Sequence, residues 1–66
     1  MHISLNGEAR QLPPGTTVSG LLEILELLGK RVAIERNGEI VPKGLHATTA
    51  LAEGDALEIV VAVGGG

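Results

Sequence analysis

Apolar and polar residues alternate at the start of the chain. In HISLN, Ile3 and Leu5 fall on one side and His2, Ser4 and Asn6 on the other, the period-two pattern of a half-buried strand. Asn6-Gly7 follows, a strong hairpin signal because both turn positions need positive φ. Residues 8–12 read as the return strand, and Pro13-Pro14-Gly15 breaks it.

The period then changes. In TTVSGLLEILELLGK, Val18, Leu21, Leu22, Leu25 and Leu28 recur at helical spacing and form one apolar stripe. Ile24 and Leu27 widen it, and Glu23 and Glu26 lie off it. Thr17 is placed to cap the first turn with its side-chain oxygen. Gly29 is placed to end the helix in the left-handed conformation, with Lys30 and Arg31 at the end where positive charge suits the dipole. Gly20 is a local cost inside the first turns, to be offset by close approach of a neighbouring strand.

Period two returns at residues 32–36, with Val32 and Ile34 on one face. Asn37-Gly38 is a second hairpin signal, residues 39–41 make a short return, and Pro42 stops it. Residues 44–50 are weakly patterned and read as an irregular or 3₁₀ crossover, with Leu51 an anchor into the core. Glu53-Gly54-Asp55 is a turn. In the last strand Leu57, Ile59, Val61 and Val63 share one face, and Glu58, Val60 and Ala62 the other. One helix suffices to cover one face of one sheet. The first and last strands are the strongest, which predicts an α+β chain: a mixed sheet of about five strands, covered on one face by one main helix, with the first and last strands central and parallel. This is the β-grasp, ubiquitin-like arrangement, spanning residues 1–63 and followed by a flexible tail at 64–66.

Composition narrows the chemistry. With 66 residues the chain is one small domain, and with no cysteine it has neither disulfide nor thiolate metal site. His2 and His46 are isolated in sequence and read as surface or turn residues, so no metal is expected. No Phe, Trp or Tyr is present and the net charge is −3, which argues against nucleic-acid binding by stacking or by phosphate neutralisation. No segment reaches the length of a membrane span, and the N-terminal residues lack the pattern of a signal peptide; a cytoplasmic protein without a membrane partner is expected. The carboxylates read as a solvated helix face and turns, and NGE, at 6–8 and again at 37–39, as two hairpins. No catalytic constellation and no phosphate loop emerge, so the chain is not expected to be an enzyme.

There remains VGGG, the close of the sequence. A tail without side chains can enter a channel that admits only backbone, and what it delivers there is an α-carboxylate. A carboxylate is a poor electrophile and needs activation, by adenylation with ATP that a partner must bind, since this chain holds no cofactor.

At this point the chain resembles a family, the ThiS-type sulfur carriers of thiamine biosynthesis. The resemblance runs from the ISLNGE opening through TTVSGLLEILEL, VAIERNGEIVP and LAEGDALEIV to the terminal glycines. It implies that Gly66, preceded by Gly64 and Gly65, is adenylated by an E1-like, ThiF-type enzyme with ATP. The end is then converted to a thiocarboxylate, with a sulfur donor such as a cysteine desulfurase persulfide. A ThiG-type thiazole synthase takes the sulfur for the thiazole ring. Two alternatives stay open: a MoaD-like carrier for molybdopterin synthesis, and a ubiquitin-like protein modifier. Val60 and Ala62, apolar, next to the tail and facing away from the helix, are the expected partner-binding residues.

Overall fold

The structure, a computed structural model, describes residues 1–62. Its elements are β1 (His2–Leu5), β2 (Glu8–Gln11), α1 (Val18–Ile24), β3 (Val32–Arg36), β4 (Glu39–Ile40), a 3₁₀ turn (Lys43–Leu45) and β5 (Ala56–Val61). The five strands form one sheet in the order β2-β1-β5-β3-β4. β1 and β5 are parallel, with Ser4 opposite Ala56 and Leu5 opposite Leu57, and the other neighbours are antiparallel. The β-grasp arrangement expected from the alternating pattern is the one observed. The boundary placed between residues 63 and 64 lies outside the described residues, as do Val63, Gly64, Gly65 and Gly66.

The core is aliphatic. Ile3, Leu57, Ile59 and Ile34 from the sheet meet Val18, Leu21 and Leu22 from α1, closed by Leu12, Val41 and Leu51. Leu51 is the anchor its isolation among small and polar residues suggested. Residues 43–45 supply the 3₁₀ turn, which begins one residue before the weakly patterned stretch 44–50 that predicted a crossover.

The helix is shorter than its stripe. Thr17 caps it, accepting the Gly20 N–H at 3.0 Å, but it ends at Ile24 rather than at Gly29. Leu25 is half-buried and Leu28 is 53% exposed. The end is closed by two bonds: Glu26 N–H donates to Glu23 O (3.0 Å) and Leu27 N–H to Leu22 O (2.7 Å). This is the 5→2 and 6→1 pair of a Schellman motif. The left-handed residue that the motif requires is Glu26, at φ 60°, where glycine is usual. Gly29 also has positive φ (82°), but in the loop beyond. A left-handed non-glycine costs about 1–2 kcal/mol, partly offset by the lower unfolded-state entropy of a residue with a side chain. Glu26→Gly is therefore expected to raise stability by about 0.5–1 kcal/mol, read as a higher urea midpoint at unchanged slope. No strand approaches Gly20; its nearest neighbours are the cap side chains, Thr16 Cγ2 and Thr17 Oγ1.

Asp55 is not the solvated turn residue its sequence context suggests. It is buried and accepts from Arg36 Nε (2.7 Å), Asn37 Nδ2 (3.1 Å) and Ala52 N–H (2.8 Å), tying the β3–β4 hairpin to the start of β5. Burial raises the pKa of this carboxyl, but the hydrogen bonds from Ala52, Arg36 and Asn37 outweigh it and hold the group below its ordinary value. A carboxyl held lower in the folded than in the unfolded chain adds stability above the unfolded value, about 3.9. That contribution is lost as pH falls through the folded value. Asp55→Asn is expected to be less stable at pH 7 by about 1–3 kcal/mol and to lose less than the parent between pH 5 and pH 3. Urea unfolding at the three pH values checks both.

Candidate functional site: the end of β5

β5 lies at the centre of the sheet, between β1 and β3, and it is held by the two asparagines of the NG turns. Asn6 sits at φ 50°, and its side chain behaves as an added strand residue. Its Oδ1 accepts the Ile59 N–H (2.9 Å) and its Nδ2 donates to Ile59 O (3.2 Å). Asn37, at φ 52°, accepts the Ala56 N–H through Oδ1 (2.9 Å) while its Nδ2 serves Asp55. Each amide uses both donor and acceptor, which neither Asp nor Gly could supply at the same turn position. The signal in the sequence was the repeated NGE. Read as two hairpins it is correct, but the hairpins alone leave unexplained why both turns use asparagine.

Beyond Ile59, β5 continues without a neighbour on the β1 side among the described residues, because β1 ends at Leu5 and the Asn6 amide is its last contact. On the other side the ladder with β3 runs on: Val60 lies opposite Ala33, Val61 opposite Val32, and Ala62 N–H donates to Arg31 O (2.9 Å). The end of the strand is thus supported along one edge only. Val60 is 66% exposed and Ala62 is exposed. Both lie on the sheet face away from α1, together with Ala33. Val61, expected in the core with Leu57 and Ile59, is 39% exposed. The reason is length: seven helical residues span about 10 Å, whereas six strand residues span about 20 Å, so α1 covers only part of β5. Gly64, Gly65 and Gly66, the expected reactive end, fall outside the described residues.

The histidines sit apart. His2 is exposed beside Glu53 (3.5 Å). His46, expected at the surface or in a turn, is in a turn but buried, with Nε2 3.0 Å from Val41 O. A carbonyl only accepts, so this nitrogen carries a proton. Among the described residues no three His, Cys, Asp or Glu side chains gather as a metal site, and no helix is long and apolar enough to cross a membrane.

Residues 3–66 match the model of the ThiS family. A thiazole synthase of Paramagnetospirillum magneticum is 47% identical over the whole chain, which spans 20% of that protein's length. The sulfur carrier protein ThiS of Bacillus subtilis is 38% identical over 97% of the chain and 98% of its own length. The crystal structure of the thiamine biosynthesis protein ThiS from Geobacter metallireducens superposes with a TM-score of 0.84 at 29% identity, covering both chains completely. With nearly its whole length matched to one family model and the same sheet and helix in a solved member, the chain belongs to the ThiS family.

Proposed function

We propose that this chain is a sulfur carrier for thiamine biosynthesis and a protein co-substrate rather than a catalyst, with its chemistry at the Gly66 α-carboxylate. The carboxylate attacks the α-phosphate of ATP held by an E1-like, ThiF-type enzyme. Pyrophosphate leaves and an acyl-adenylate forms. The outer sulfur of a donor persulfide, such as that of a cysteine desulfurase, then displaces AMP to give an acyl persulfide. A thiol attacks the donor's sulfur, forming a disulfide with it and releasing the thiocarboxylate. The observation that carries this reading is the end of β5, which outruns β1 and presents exposed residues up to Ala62, four positions before Gly66. Four extended residues reach at most about 13–14 Å, enough to carry a carboxylate away from the domain. Cysteine is absent, so no thiol of this chain can carry the sulfur, which supports the Gly66 carboxylate as its carrier. A thiazole synthase as acceptor is supported by the relative of that name that shares this segment.

The test is intact mass spectrometry after incubation with an E1-like enzyme, ATP and a sulfur donor. A carrier gains the mass difference of sulfur for oxygen, released again by the synthase. Adducts on lysines of larger proteins would instead identify a modifier.

Val60 and Ala62 form the proposed contact for the adenylating enzyme. Val60→Glu alters an exposed side chain, so stability is expected to change by no more than about 0.5 kcal/mol. Binding to the enzyme is expected to weaken about tenfold or more, since a buried unpaired charge at an interface is costly. Unchanged adenylation at limiting carrier concentration would remove this face from the interface.

A further inference from the structure

The sheet has a gap. β4 pairs only with Glu35 and Arg36 of β3. One more bond, Val41 N–H to Ile34 O (2.8 Å), ends the contact, and the chain leaves through Pro42 into the 3₁₀ turn. His46 takes the Val41 carbonyl, which continued pairing would have offered to β3. The register shows what is left open. Arg31 O accepts from Ala62 and Asn37 N–H donates to Ala56 O, so odd-numbered residues of β3 turn their backbone groups toward β5 and even-numbered ones outward. The N–H and C=O of Val32 therefore point away from β5, where no strand lies opposite among the described residues.

A groove of about 440 Å³ runs along this gap. Leu22, Leu28 and Val32 give it apolar walls, and it continues round the end of the sheet to Val60 and Ala62, so it adjoins the proposed enzyme contact. Lys30, Arg31 and Lys43 also line it, and no Asp or Glu does. The chain has only five Lys and Arg against eight Asp and Glu, and three of those five cations meet here. Among the described residues none of the three forms an ion pair, whereas Arg36 is committed to Asp55. An acidic protein has thus placed beside an open strand edge three of the four Lys and Arg side chains that lie outside ion pairs, the fourth being Arg10 on β2.

We propose that this groove is a docking site for an extended, acidic segment of a partner protein, which adds to the outer edge of β3 as a further strand. Backbone pairing at Val32 supplies the register. Alternate side chains of the incoming strand enter the apolar wall of Leu22 and Leu28, and the others place carboxylates near Lys30, Arg31 and Lys43. A second copy of this chain fits poorly, because edge-to-edge pairing would bring two sets of three cations together. A DNA backbone has no donor for the Val32 carbonyl, and the bases of any nucleic acid would meet no aromatic side chain to stack on. The inference does not depend on the carrier chemistry, since it concerns recognition by the folded domain.

The experiment uses the whole ¹⁵N-labelled chain and a blocked synthetic peptide alternating glutamate and valine. Amide shifts are expected to concentrate at residues 30–33 and 43–46, and hydrogen exchange at the Val32 amide to slow about tenfold or more at saturation. Two control peptides separate the contributions: one with lysine for glutamate, and one N-methylated at alternate residues, which keeps the charge but loses the donors. Each is expected to bind about tenfold or more weakly. The exposed triple variant Lys30→Glu, Arg31→Glu, Lys43→Glu is expected to keep a dispersed spectrum and lose binding. Equal binding of either control peptide would overturn the proposal. So would no binding of the glutamate peptide, shifts at Val60 and Ala62 without any at Val32 and residues 43–46, tighter binding of an oligothymidine, or concentration-dependent shifts at these residues without peptide.

Discussion

Leu21→Ala is expected to leave most of the chain unfolded at 25 °C. Leu21 is fully buried at the centre of α1, in the same core cluster as Val18, Leu22, Ile34 and Leu57. A buried Leu→Ala change costs about 2–5 kcal/mol, and a single core of this size rarely supplies more than about 3–5 kcal/mol. The two numbers are comparable, so little net stability should remain. Leu28→Ala, from the same sequence stripe, is expected to change stability by no more than about 0.5 kcal/mol, because Leu28 is half exposed in the loop beyond the helix. Leu25→Ala should fall between them. Thermal melts followed by far-UV circular dichroism distinguish the three. A cooperative transition for Leu21→Ala close to that of the parent would mean that the centre of the core lies elsewhere.

The difference between Leu21 and Leu28 shows where the sequence is legible and where it is not. Helical spacing reports which residues share a face while the helix lasts, but it does not report where the helix stops. Here the expected stop signal, Gly29, is present and the actual stop is Glu26, whose left-handed backbone is imposed by the two closing hydrogen bonds and by half-buried Leu27 packing against the core. The strands were more readable. Alternation in 2–5 and 56–61 and the two NG turns account for the strand pairing, because a one-residue slip would have put Ile3 or Leu57 in water. What could not be read was long range. Asp55 looks like a turn carboxylate until Arg36 and Asn37, distant in sequence, are brought beside it. Likewise Asn6 looks like a turn residue until Ile59 is placed beside it. For the candidate site, the apolar positions next to the tail and their side of the sheet followed from period two. The overhang of β5 did not, since it depends on where β1 and α1 end rather than on anything in β5.

Deleting Gly66 separates the composition of the tail from its reach. The shortened chain still closes on Gly64-Gly65, so an enzyme that recognised only a diglycine end would accept it. In the proposed chemistry, however, the carboxylate must reach the α-phosphate of ATP in the partner's site while the domain stays docked. Removing one residue withdraws it by about 3.3–3.6 Å, and a displacement of even about 1 Å can cost on the order of 100-fold in rate. The deletion lies beyond the described domain and touches none of its core residues, so docking is expected to be nearly unchanged while adenylation falls by about 100-fold or more. Gly65→Val is expected to fail for a different reason: reach is kept, but a β-branched side chain must enter a channel that fits bare backbone. The two variants are compared by ATP–pyrophosphate exchange, beside a direct binding measurement. Exchange near the parent's rate after the deletion would show that reach is not limiting. The same result for Gly65→Val would remove the channel, and with it the main physical support for activation at Gly66.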